Sequence, residues 1–275
     1  MAPIFRDSKQ AIAHQFGQAT ATYQAQAQMQ KDCAGQLLDY LPHPLTLPPG
    51  AILEIGCGTG FLTQGLIDHF PDRALEITDL SPEMLQFCQA NVQIPVPQKD
   101  LIAFRPMDGE AIAASPKDSP HAPPYALPYA LIVSGFAIQW FEDPANSLRQ
   151  WLSQLQPGGL LLISLPTRQS FPEWRQICLD FNLPFTANPL PDIAEIVAAL
   201  AQESRSHQVY EHTIRLNFEN AADFFKSLKM IGAGFSQTGK RLSLPQMRQL
   251  IRHWNQQTNH QITVQFHVAF GVFQR

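Results

Sequence analysis

The stretch Leu53-Glu54-Ile55-Gly56-Cys57-Gly58-Thr59-Gly60 decides the fold of this chain. A short apolar run, typical of a buried strand, leads into glycines at alternate positions, and a helix is predicted from Phe61. Glycine lets the backbone turn sharply and approach a ligand closely, and the N-terminus of the helix offers unpaired N–H groups to an anion. The pattern is typical of the first strand-turn-helix unit of a nucleotide-binding sheet.

A carboxylate follows at the end of the next predicted strand. Asp79 lies 19 residues after Gly60, where a doubly wound fold places an acid that accepts hydrogen bonds from both ribose hydroxyls. Ser81 and Pro82 supply a helix N-cap and first turn directly after it, so capping is the alternative role for Asp79. Nicotinamide-binding loops use G-x-G-x-x-G, with the third glycine one place later. We therefore predict S-adenosylmethionine, with its carboxylate at the helix N-terminus.

Other residues near the strand ends complete the predicted cofactor site. Glu54 lies within a buried strand, where an unpaired charge is costly, so it either faces the methionine amine or orders the glycine loop. Asp108 is predicted to accept a hydrogen bond from the adenine amino group, and a solvated turn is the alternative. The full predicted set is Glu54, Gly56, Cys57, Gly58, Gly60, Asp79, Leu80, Met84, Met107, Asp108, Gly109 and Ser134.

The fourth predicted strand ends in Ser134-Gly135-Phe136-Ala137-Ile138-Gln139-Trp140. Its carboxyl end is predicted to lie beneath the transferred methyl group, at the crevice where the strand order reverses. Phe136 and Trp140 could equally be core residues. Gln139 is harder to explain as core, because its amide would need hydrogen-bond partners.

Apolar runs of strand length alternate with amphipathic stretches of helix length along the chain. This pattern predicts an α/β fold with a doubly wound, seven-stranded, mostly parallel sheet. The predicted strands are residues 51–55, 75–79, 101–104, 130–135, 160–165, 207–218 and 262–273, with helices at 10–40, 220–230 and 244–254. Five prolines at 115–128 predict a surface loop.

The charge distribution bears on which partners the protein could bind. The net charge is −4, with 10 Lys and Arg against 19 Asp and Glu up to residue 199, and 9 against 4 from residue 200 onward. The difference is either ordinary surface variation or a C-terminal part that meets an acidic partner. The negative net charge and the absence of a Lys/Arg-rich run disfavour nucleic-acid binding.

No targeting, membrane or metal-binding pattern is recognised in the sequence. The apolar runs are far shorter than the roughly 20 residues of a membrane-spanning helix, and the N-terminal stretch lacks a secretory signal, so we expect a cytoplasmic protein. The four cysteines and nine histidines show no metal-ligand spacing. We expect reduced thiols and no metal site.

Several stretches along nearly the whole chain carry a resemblance to one family. They are AIAHQFG at 11–17, ATY at 21–23, TDLSP at 78–82, AIQW at 137–140, SLKMIGA at 227–233 and HVAFGV at 267–272. Through them the chain resembles the malonyl-[acyl-carrier protein] O-methyltransferases that begin biotin synthesis, within the class I S-adenosylmethionine-dependent methyltransferases. The patterns F-G-x-A-x-x-x-Y at 16–23 and S-L-K-x-I-G-A at 227–233 are the most specific. The proline-rich stretch departs from the family pattern and leaves the placement of the adenine contact open.

The resemblance implies methyl transfer to the free carboxylate of malonyl-acyl carrier protein or malonyl-coenzyme A, with S-adenosylhomocysteine as the second product. A carboxylate with a pKa of about 4 is already ionised at neutral pH, so no general base is expected and the rate would come from positioning. The alternatives are methylation of another small carboxylate or amine, and a cofactor-binding scaffold without catalysis.

The resemblance, together with the basic C-terminal half and the end of the fourth predicted strand, leads to a predicted organisation and to candidate substrate-side residues. Residues 1–45 would form an N-terminal helical lid and 46–275 a Rossmann-like methyltransferase domain, with helical cap elements at about 168–206 and 219–257. Tyr23, Gln139 and Trp140 would position the reactants. The predicted substrate-binding set is Phe16, Tyr23, Phe136, Arg215, Lys229 and Arg241, and the basic C-terminal surface would receive the acidic carrier protein.

Overall fold

The structure, a computed structural model, describes residues 3–112, 128–258 and 261–275, with the backbone alone for residues 3–7. Nearly all of the predicted proline-rich loop at 115–128 therefore lies outside the described residues. Within the described residues, no helix combines the length and the apolar character needed to cross a membrane.

Seven strands and nine α-helices alternate along the described chain. The strands are β1 (Ile52–Ile55), β2 (Leu75–Asp79), β3 (Ile102–Pro106), β4 (Tyr129–Gly135), β5 (Leu155–Pro166), β6 (Ser206–Phe218) and β7 (Ile262–Gln274). The helices are α1 (Pro3–Gln26), α2 (Gln28–Asp39), α3 (Phe61–His69), α4 (Pro82–Asn91), α5 (Pro144–Gln154), α6 (Pro172–Asp180), α7 (Ile193–Leu200), α8 (Ala221–Met230) and α9 (Leu244–Gln257).

The strands form one sheet in the order β3-β2-β1-β4-β5-β7-β6. The neighbouring pairs β1 and β2, β1 and β4, β2 and β3, and β4 and β5 are parallel. The chain builds outward from β1 to β3 and then returns to place β4 on the other side of β1. The order therefore reverses between β1 and β4, which is where open α/β sheets bind ligands, beyond the carboxyl ends of the strands.

The last strand reverses the direction of the sheet. Gly158 in β5 donates to the carbonyl of Arg275 at 2.9 Å, whereas Thr167, just after β5, donates to the carbonyl of His267 at 2.7 Å. The residue numbers in β7 fall as those in β5 rise, so the two strands are antiparallel. The predicted doubly wound, seven-stranded, mostly parallel sheet is confirmed.

The chain divides into two compact units. Unit 1 comprises Met1–Gln26, Pro166–Leu190 and Glu211–Val268, and unit 2 comprises Ala27–Leu165, Pro191–Tyr210 and Ala269–Arg275. In unit 2, β1 and β4 are buried along almost their whole length, because helices cover both faces of a parallel sheet. Trp151 of α5 anchors this core, and its indole N–H donates to the carbonyl of Gly109 at 2.7 Å.

An aromatic cluster holds unit 1 together. The buried ring of Phe224 in α8 packs within 6 Å of those of Phe171, Trp174 and Trp254. Edge-to-face pairs of this kind contribute about 0.5–1.5 kcal/mol each beyond the area that they bury.

Most strand predictions match the structure, and the deviations have local causes. β5 begins five residues earlier than predicted, at Leu155, because Gly158 and Gly159 pair with Arg275 and extend the strand through a region without apolar periodicity. The predicted helix at 10–40 is divided at Ala27, whose backbone leaves the helical conformation. The predicted cap elements contain α6 to α9, and their role as a cap stays a prediction, as does the lid at 1–45.

The two most specific motifs of the sequence pack against each other in unit 1. Gly232, at the end of SLKMIGA, has a φ of 74°, and a Cβ there would lie 2.9 Å from Phe16 Cδ1 and 3.1 Å from Phe16 Cα. The hydroxyl of Thr22 donates to the carbonyl of Met230 at 2.6 Å. The glycine therefore allows the loop after α8 to contact α1 directly.

We expect Gly232→Ala to destabilise the protein by about 2–4 kcal/mol, since it combines left-handed strain with a clash against backbone and ring atoms. The matched control is Gly239→Ala, because Gly239 has a φ of 69° but open space around its Cβ position. That variant is expected to cost only about 1–2 kcal/mol. Chemical denaturation of the two variants measures the difference, and equal losses would contradict the proposed contact.

Candidate active site

The three glycines after β1 serve different purposes. A Cβ at Gly56 would lie 2.6 Å from Ala137 Cβ, and one at Gly60 would lie 2.9 Å from Val92 Cγ1, so both glycines permit close packing within the protein. Nothing lies within 4 Å of the Cβ position at Gly58, whose φ is 53°. The middle glycine therefore leaves its backbone open to a ligand.

The helix after this loop is arranged to receive an anion. Gly60 is the N-cap of α3, with a φ of 97°, and it carries no side chain to cap the first turn. The first N–H groups of a helix have no partner within the helix and carry a partial positive charge. A ligand carboxylate would satisfy them, as predicted from the sequence.

Asp79 ties the end of β2 to the glycine loop. Its Oδ2 accepts the Gly58 N–H at 2.9 Å, and its Oδ1 accepts the Ser81 N–H at 2.8 Å. Burial raises the pKa of Asp79 above its ordinary value, and backbone N–H groups of Ser81, Gly58 and Leu80 oppose that shift. Each carboxylate oxygen can accept a further hydrogen bond, so both remain able to meet ribose hydroxyls.

The helix N-cap after Asp79 is confirmed, and it belongs to Ser81. The Ser81 hydroxyl accepts the Met84 N–H at 3.3 Å, and Pro82 occupies the first turn of α4. Because Ser81 performs the capping, the alternative role for Asp79 is reduced to fixing the turn between β2 and α4.

Glu54 is a buried carboxylate without a hydrogen bond. The residue is 1% exposed, and neither carboxylate oxygen has a hydrogen-bond partner among the described residues. Burial raises its pKa to about 8, the nearby Thr63 hydroxyl opposes the shift, and the charge of Asp79 adds to it. Because the side chain bonds no N–H group of the glycine loop, this geometry favours a ligand amine over loop ordering as its role.

The segment after β4 holds a strained residue in place. Phe136 has a φ of 56°, which costs a residue with a side chain about 1–2 kcal/mol. Its N–H donates to the Ser164 carbonyl at 2.8 Å, and its carbonyl accepts the Gln139 amide at 2.6 Å. The Gln139 Oε1 is buried without a partner. The donor end of Gln139 is therefore structural, while its acceptor end is available to a ligand.

Four of the residues whose buried oxygens lack a hydrogen-bond partner among the described residues lie in or just after β1, β4 and β5. Besides Glu54 and Gln139, they are Thr59 and Ser164, two residues that the sequence analysis did not select. Thr59 could have been found from its place in the glycine loop, whereas Ser164 depends on the pairing of β5 with β4. Such atoms are costly unless a ligand or water satisfies them.

Three other predicted cofactor residues, Met107, Asp108 and Gly109, lie in a local turn or against the core. Asp108 Oδ1 accepts the Glu110 N–H at 3.0 Å, a local turn contact that agrees with the alternative role given above. A Cβ at Gly109 would lie 2.7 Å from both Ile55 and Phe141, so this glycine faces the core. Met107 is partly buried against the same core.

Two further predicted residues are committed to the protein interior. Ser134 is fully buried and its hydroxyl donates to the Ile55 carbonyl at 2.8 Å, which joins β4 to β1. Met84 is 1% exposed within α4. Neither contact supports a direct role at the cofactor, whereas Leu80, next to Asp79, is partly exposed.

The cysteines act as buried thiols. All four are free thiols, as predicted, and all four are also buried. A hydrogen bond with Cys88 and burial raise the pKa of the Cys57 thiol well above its ordinary value, so it stays protonated in the glycine loop. In the described part of the chain, no group of three or more His, Cys, Asp or Glu side chains is arranged to hold a metal ion.

The remaining predicted residues belong to unit 1, apart from Trp140, which is partly buried in the turn after β4. Phe16 and Tyr23 lie on α1 with ring centroids 6.4 Å apart, and both are partly buried. The three predicted substrate cations are all exposed: Arg215 on β6, Lys229 on α8 and Arg241 before α9.

The prediction that Glu54 pairs with the cofactor amine implies that cofactor binding depends on pH. Because burial raises its pKa to about 8, the carboxyl is expected to carry a proton at neutral pH in the free protein, and it must lose that proton to pair with an ammonium group. Affinity for S-adenosylhomocysteine should therefore rise between pH 6 and 7.5, by up to about tenfold per pH unit.

Calorimetric titrations across this range test the effect, with Glu54→Gln expected to abolish it. The matched control is Glu76→Gln, since Glu76 is also buried in a strand but accepts the Tyr129 hydroxyl at 2.5 Å and pairs with Arg105. An unchanged pH dependence in Glu54→Gln would exclude Glu54 as the titrating group.

Comparison with known proteins places the chain among methyltransferases. A family model described as a methyltransferase domain matches residues 25–213. The crystal structure of YcgJ from Bacillus subtilis has a TM-score of 0.56 at 12% identity, covering 88% of this chain and 97% of that one. The plantazolicin methyltransferase BpumL in complex with SAH has a TM-score of 0.52 at 16% identity, covering 97% and 95%. These two likenesses concern the fold.

Curated relatives extend the match over the whole chain. The malonyl-[acyl-carrier protein] O-methyltransferase of Magnetococcus marinus is 31% identical over 269 residues, which cover 96% of this chain and 92% of that protein. The biotin biosynthesis bifunctional protein BioCD of Bordetella avium is 31% identical over 280 residues, and the chain spans 54% of its length. The chain therefore belongs to the methyltransferase family and, within it, to the malonyl-[acyl-carrier protein] O-methyltransferases.

Proposed function

We propose that this chain transfers a methyl group from S-adenosylmethionine to the free carboxylate of malonyl-acyl carrier protein. The product is the malonyl methyl ester that primes pimeloyl and biotin synthesis, and malonyl-coenzyme A is the alternative acceptor. The observation that carries the proposal is the match to a relative of that name along 96% of the chain. It includes α1 and α8, whose motifs pack together in unit 1. We propose that the reaction takes place in the cytoplasm.

The residues around the glycine loop fit the cofactor that we propose. Glu54 would pair with its ammonium group, the N-terminus of α3 would receive its carboxylate, and Asp79 would accept its ribose hydroxyls. The support is the buried, unpartnered Glu54 carboxylate together with the open space in front of Gly58. When bound, the sulfonium supplies an electrophilic methyl group. We propose no metal in this reaction.

The remaining chemistry requires positioning and no proton transfer. A malonyl carboxylate is ionised at neutral pH and is already a nucleophile. The Cys57 thiol, held protonated, does not compete with it for the methyl group. Gln139, Trp140 and Tyr23 would align the carboxylate with the methyl group, and well-aligned reactants gain roughly 7–11 kcal/mol. Exclusion of water would strengthen the nucleophile further.

We propose that unit 1 receives the carrier protein. It contains 11 Lys and Arg against 6 Asp and Glu, whereas unit 2 contains 8 against 17. Lys226 and Lys229 on α8 and Arg248 and Arg252 on α9 are all exposed. A basic surface steers an acidic partner and accelerates its association at low salt. The malonyl carboxylate itself would be held by Arg215, Lys229 or Arg241, and we propose no nucleic-acid substrate.

A methyl-transfer assay tests the proposed activity. Purified protein with labelled S-adenosylmethionine is expected to methylate malonyl-acyl carrier protein, and not acetyl-acyl carrier protein, which has no free carboxylate. Malonyl-coenzyme A shows whether the carrier protein is required. Faster labelling of free malonate or of a small amine would overturn the proposed substrate. Restored growth without biotin, in a strain that lacks this methylation step, would support the pathway.

Charge reversal tests the docking surface. Replacing Lys226, Arg248 and Arg252 by Glu should raise the KM for malonyl-acyl carrier protein by about tenfold at low salt and leave kcat unchanged, because steering is weakened. Lys229 is retained because it is also a candidate for the malonyl carboxylate.

The matched control reverses Lys31, Lys99 and Arg149, three exposed cations of unit 2. Malonyl-pantetheine, which lacks the carrier protein, should keep its KM in both variants. Equal KM values for malonyl-acyl carrier protein in the two triple variants would contradict docking on unit 1.

A further inference from the structure

A cavity lies within unit 1. Its volume is about 320 Å³, within the lower range of small-ligand sites. It is formed by the segment after β5, the first turns of α6, the segment 185–190 and the loop between α8 and α9. The residues that matter to its chemistry are Arg168, Arg175, Phe185, Asn188, Thr238 and Lys240.

Hydrogen bonds fix the walls of this cavity. The Asn188 amide donates to the Phe235 carbonyl at 2.7 Å, and its Oδ1 accepts the Gln237 N–H at 2.9 Å. These two bonds tie the segment 185–190 to the loop between α8 and α9. The cavity is therefore built by pairing two segments that are distant in sequence, and it does not depend on a single surface loop.

Hydrogen bonds within the protein engage the uncharged polar side chains of the lining. Both ends of the Asn188 amide are occupied, the Ser170 hydroxyl donates to the His267 carbonyl at 3.2 Å, and the Thr238 hydroxyl accepts the Lys240 N–H at 3.3 Å. The charged side chains of the lining are Arg168, Arg175 and Lys240.

These three exposed cations give the lining of the cavity a positive charge. No Asp or Glu is among its lining residues, and within the described residues neither Arg175 nor Lys240 forms a salt bridge. The Arg175 guanidinium carbon lies 4.3 Å from the centre of the Phe185 ring. Stacking on an aromatic face orients the guanidinium while its N–H edge stays able to donate in the plane. The Arg175 guanidinium can therefore donate two parallel hydrogen bonds to a pair of anionic oxygens in its plane.

We propose that this cavity binds the phosphoryl group of a ligand. Three cations around about 320 Å³ suit an anion with several oxygens better than a single carboxylate, and Arg and Lys are the usual partners of phosphate. The ligand is either a free phosphate compound or the phosphate-linked pantetheine arm of the carrier protein. The second source rests on the proposed function, whereas the phosphoryl site stands on the cavity alone.

Binding of inorganic phosphate tests the site without turnover. Calorimetric titration is expected to show binding by the full chain and at least about tenfold weaker binding by Arg175→Gln/Lys240→Gln. The matched control is Arg149→Gln/Lys99→Gln, which removes two exposed cations of unit 2 and should bind phosphate as the full chain does. If the double variant melts at a lower temperature than the unmutated chain, the single variant Lys240→Gln is used instead. Lys240 lies in an exposed loop, and its replacement should weaken phosphate binding without unfolding the protein. Absent binding, or equal binding by all variants, would overturn the site.

A second measurement identifies the source of the phosphoryl group. If it is the pantetheine arm, malonyl-phosphopantetheine should have a lower KM than malonyl-pantetheine, and Arg175→Gln/Lys240→Gln should remove that advantage. If phosphate binding is lost in the variant while both KM values stay the same, the site serves a free phosphate compound. Failure of methyl transfer to every malonyl thioester would overturn the proposed function, and the phosphate titration would still decide the cavity.

Discussion

The hydrogen bond from the Gly58 N–H to the Asp79 carboxylate is the interaction on which the site depends. It joins the loop after β1 to the end of β2, two points that are 21 residues apart in sequence. The loop needs left-handed backbone at Gly56, Gly58 and Gly60 to make this contact. Asp79 in turn holds the start of α4 through the Ser81 N–H. One carboxylate therefore fixes both turns that face the crevice between β1 and β4.

This geometry leaves polar groups that the protein itself does not satisfy. Glu54, Thr59, Gln139 and Ser164 each bury at least one oxygen that has no hydrogen-bond partner among the described residues. Leaving such a group unpaired costs about 1–3 kcal/mol. We infer that a bound ligand supplies the missing hydrogen-bond partners. The strain at Phe136 lies at the same edge of the sheet. The unpaired oxygens and the backbone strain lower the stability of the free protein, and ligand binding at this edge is expected to compensate for that loss.

The sequence predicts the parallel core well, because its strands are apolar runs bounded by turn residues. The Ser81 cap and the position of Asp79 are equally local signals. Contacts between distant segments are not visible in one sequence. For example, the Ser134 hydroxyl donates to the Ile55 carbonyl, and Gly109 faces the core beside Phe141. Arg175 gives no local signal either, since its role depends on a cavity closed by residues some 65 positions later.

The central claim is that the glycine loop and Asp79 together hold a nucleoside sulfonium donor. Its most direct test is the affinity of Asp79→Ala for S-adenosylhomocysteine, measured by calorimetry beside Asp68→Ala, which removes an exposed acid of α3. Loss of two charge-assisted hydrogen bonds to ribose predicts at least about 100-fold weaker binding by Asp79→Ala. Asp68→Ala is expected to bind S-adenosylhomocysteine as tightly as the unmutated chain. Equal affinity of Asp79→Ala and the unmutated chain would contradict the account.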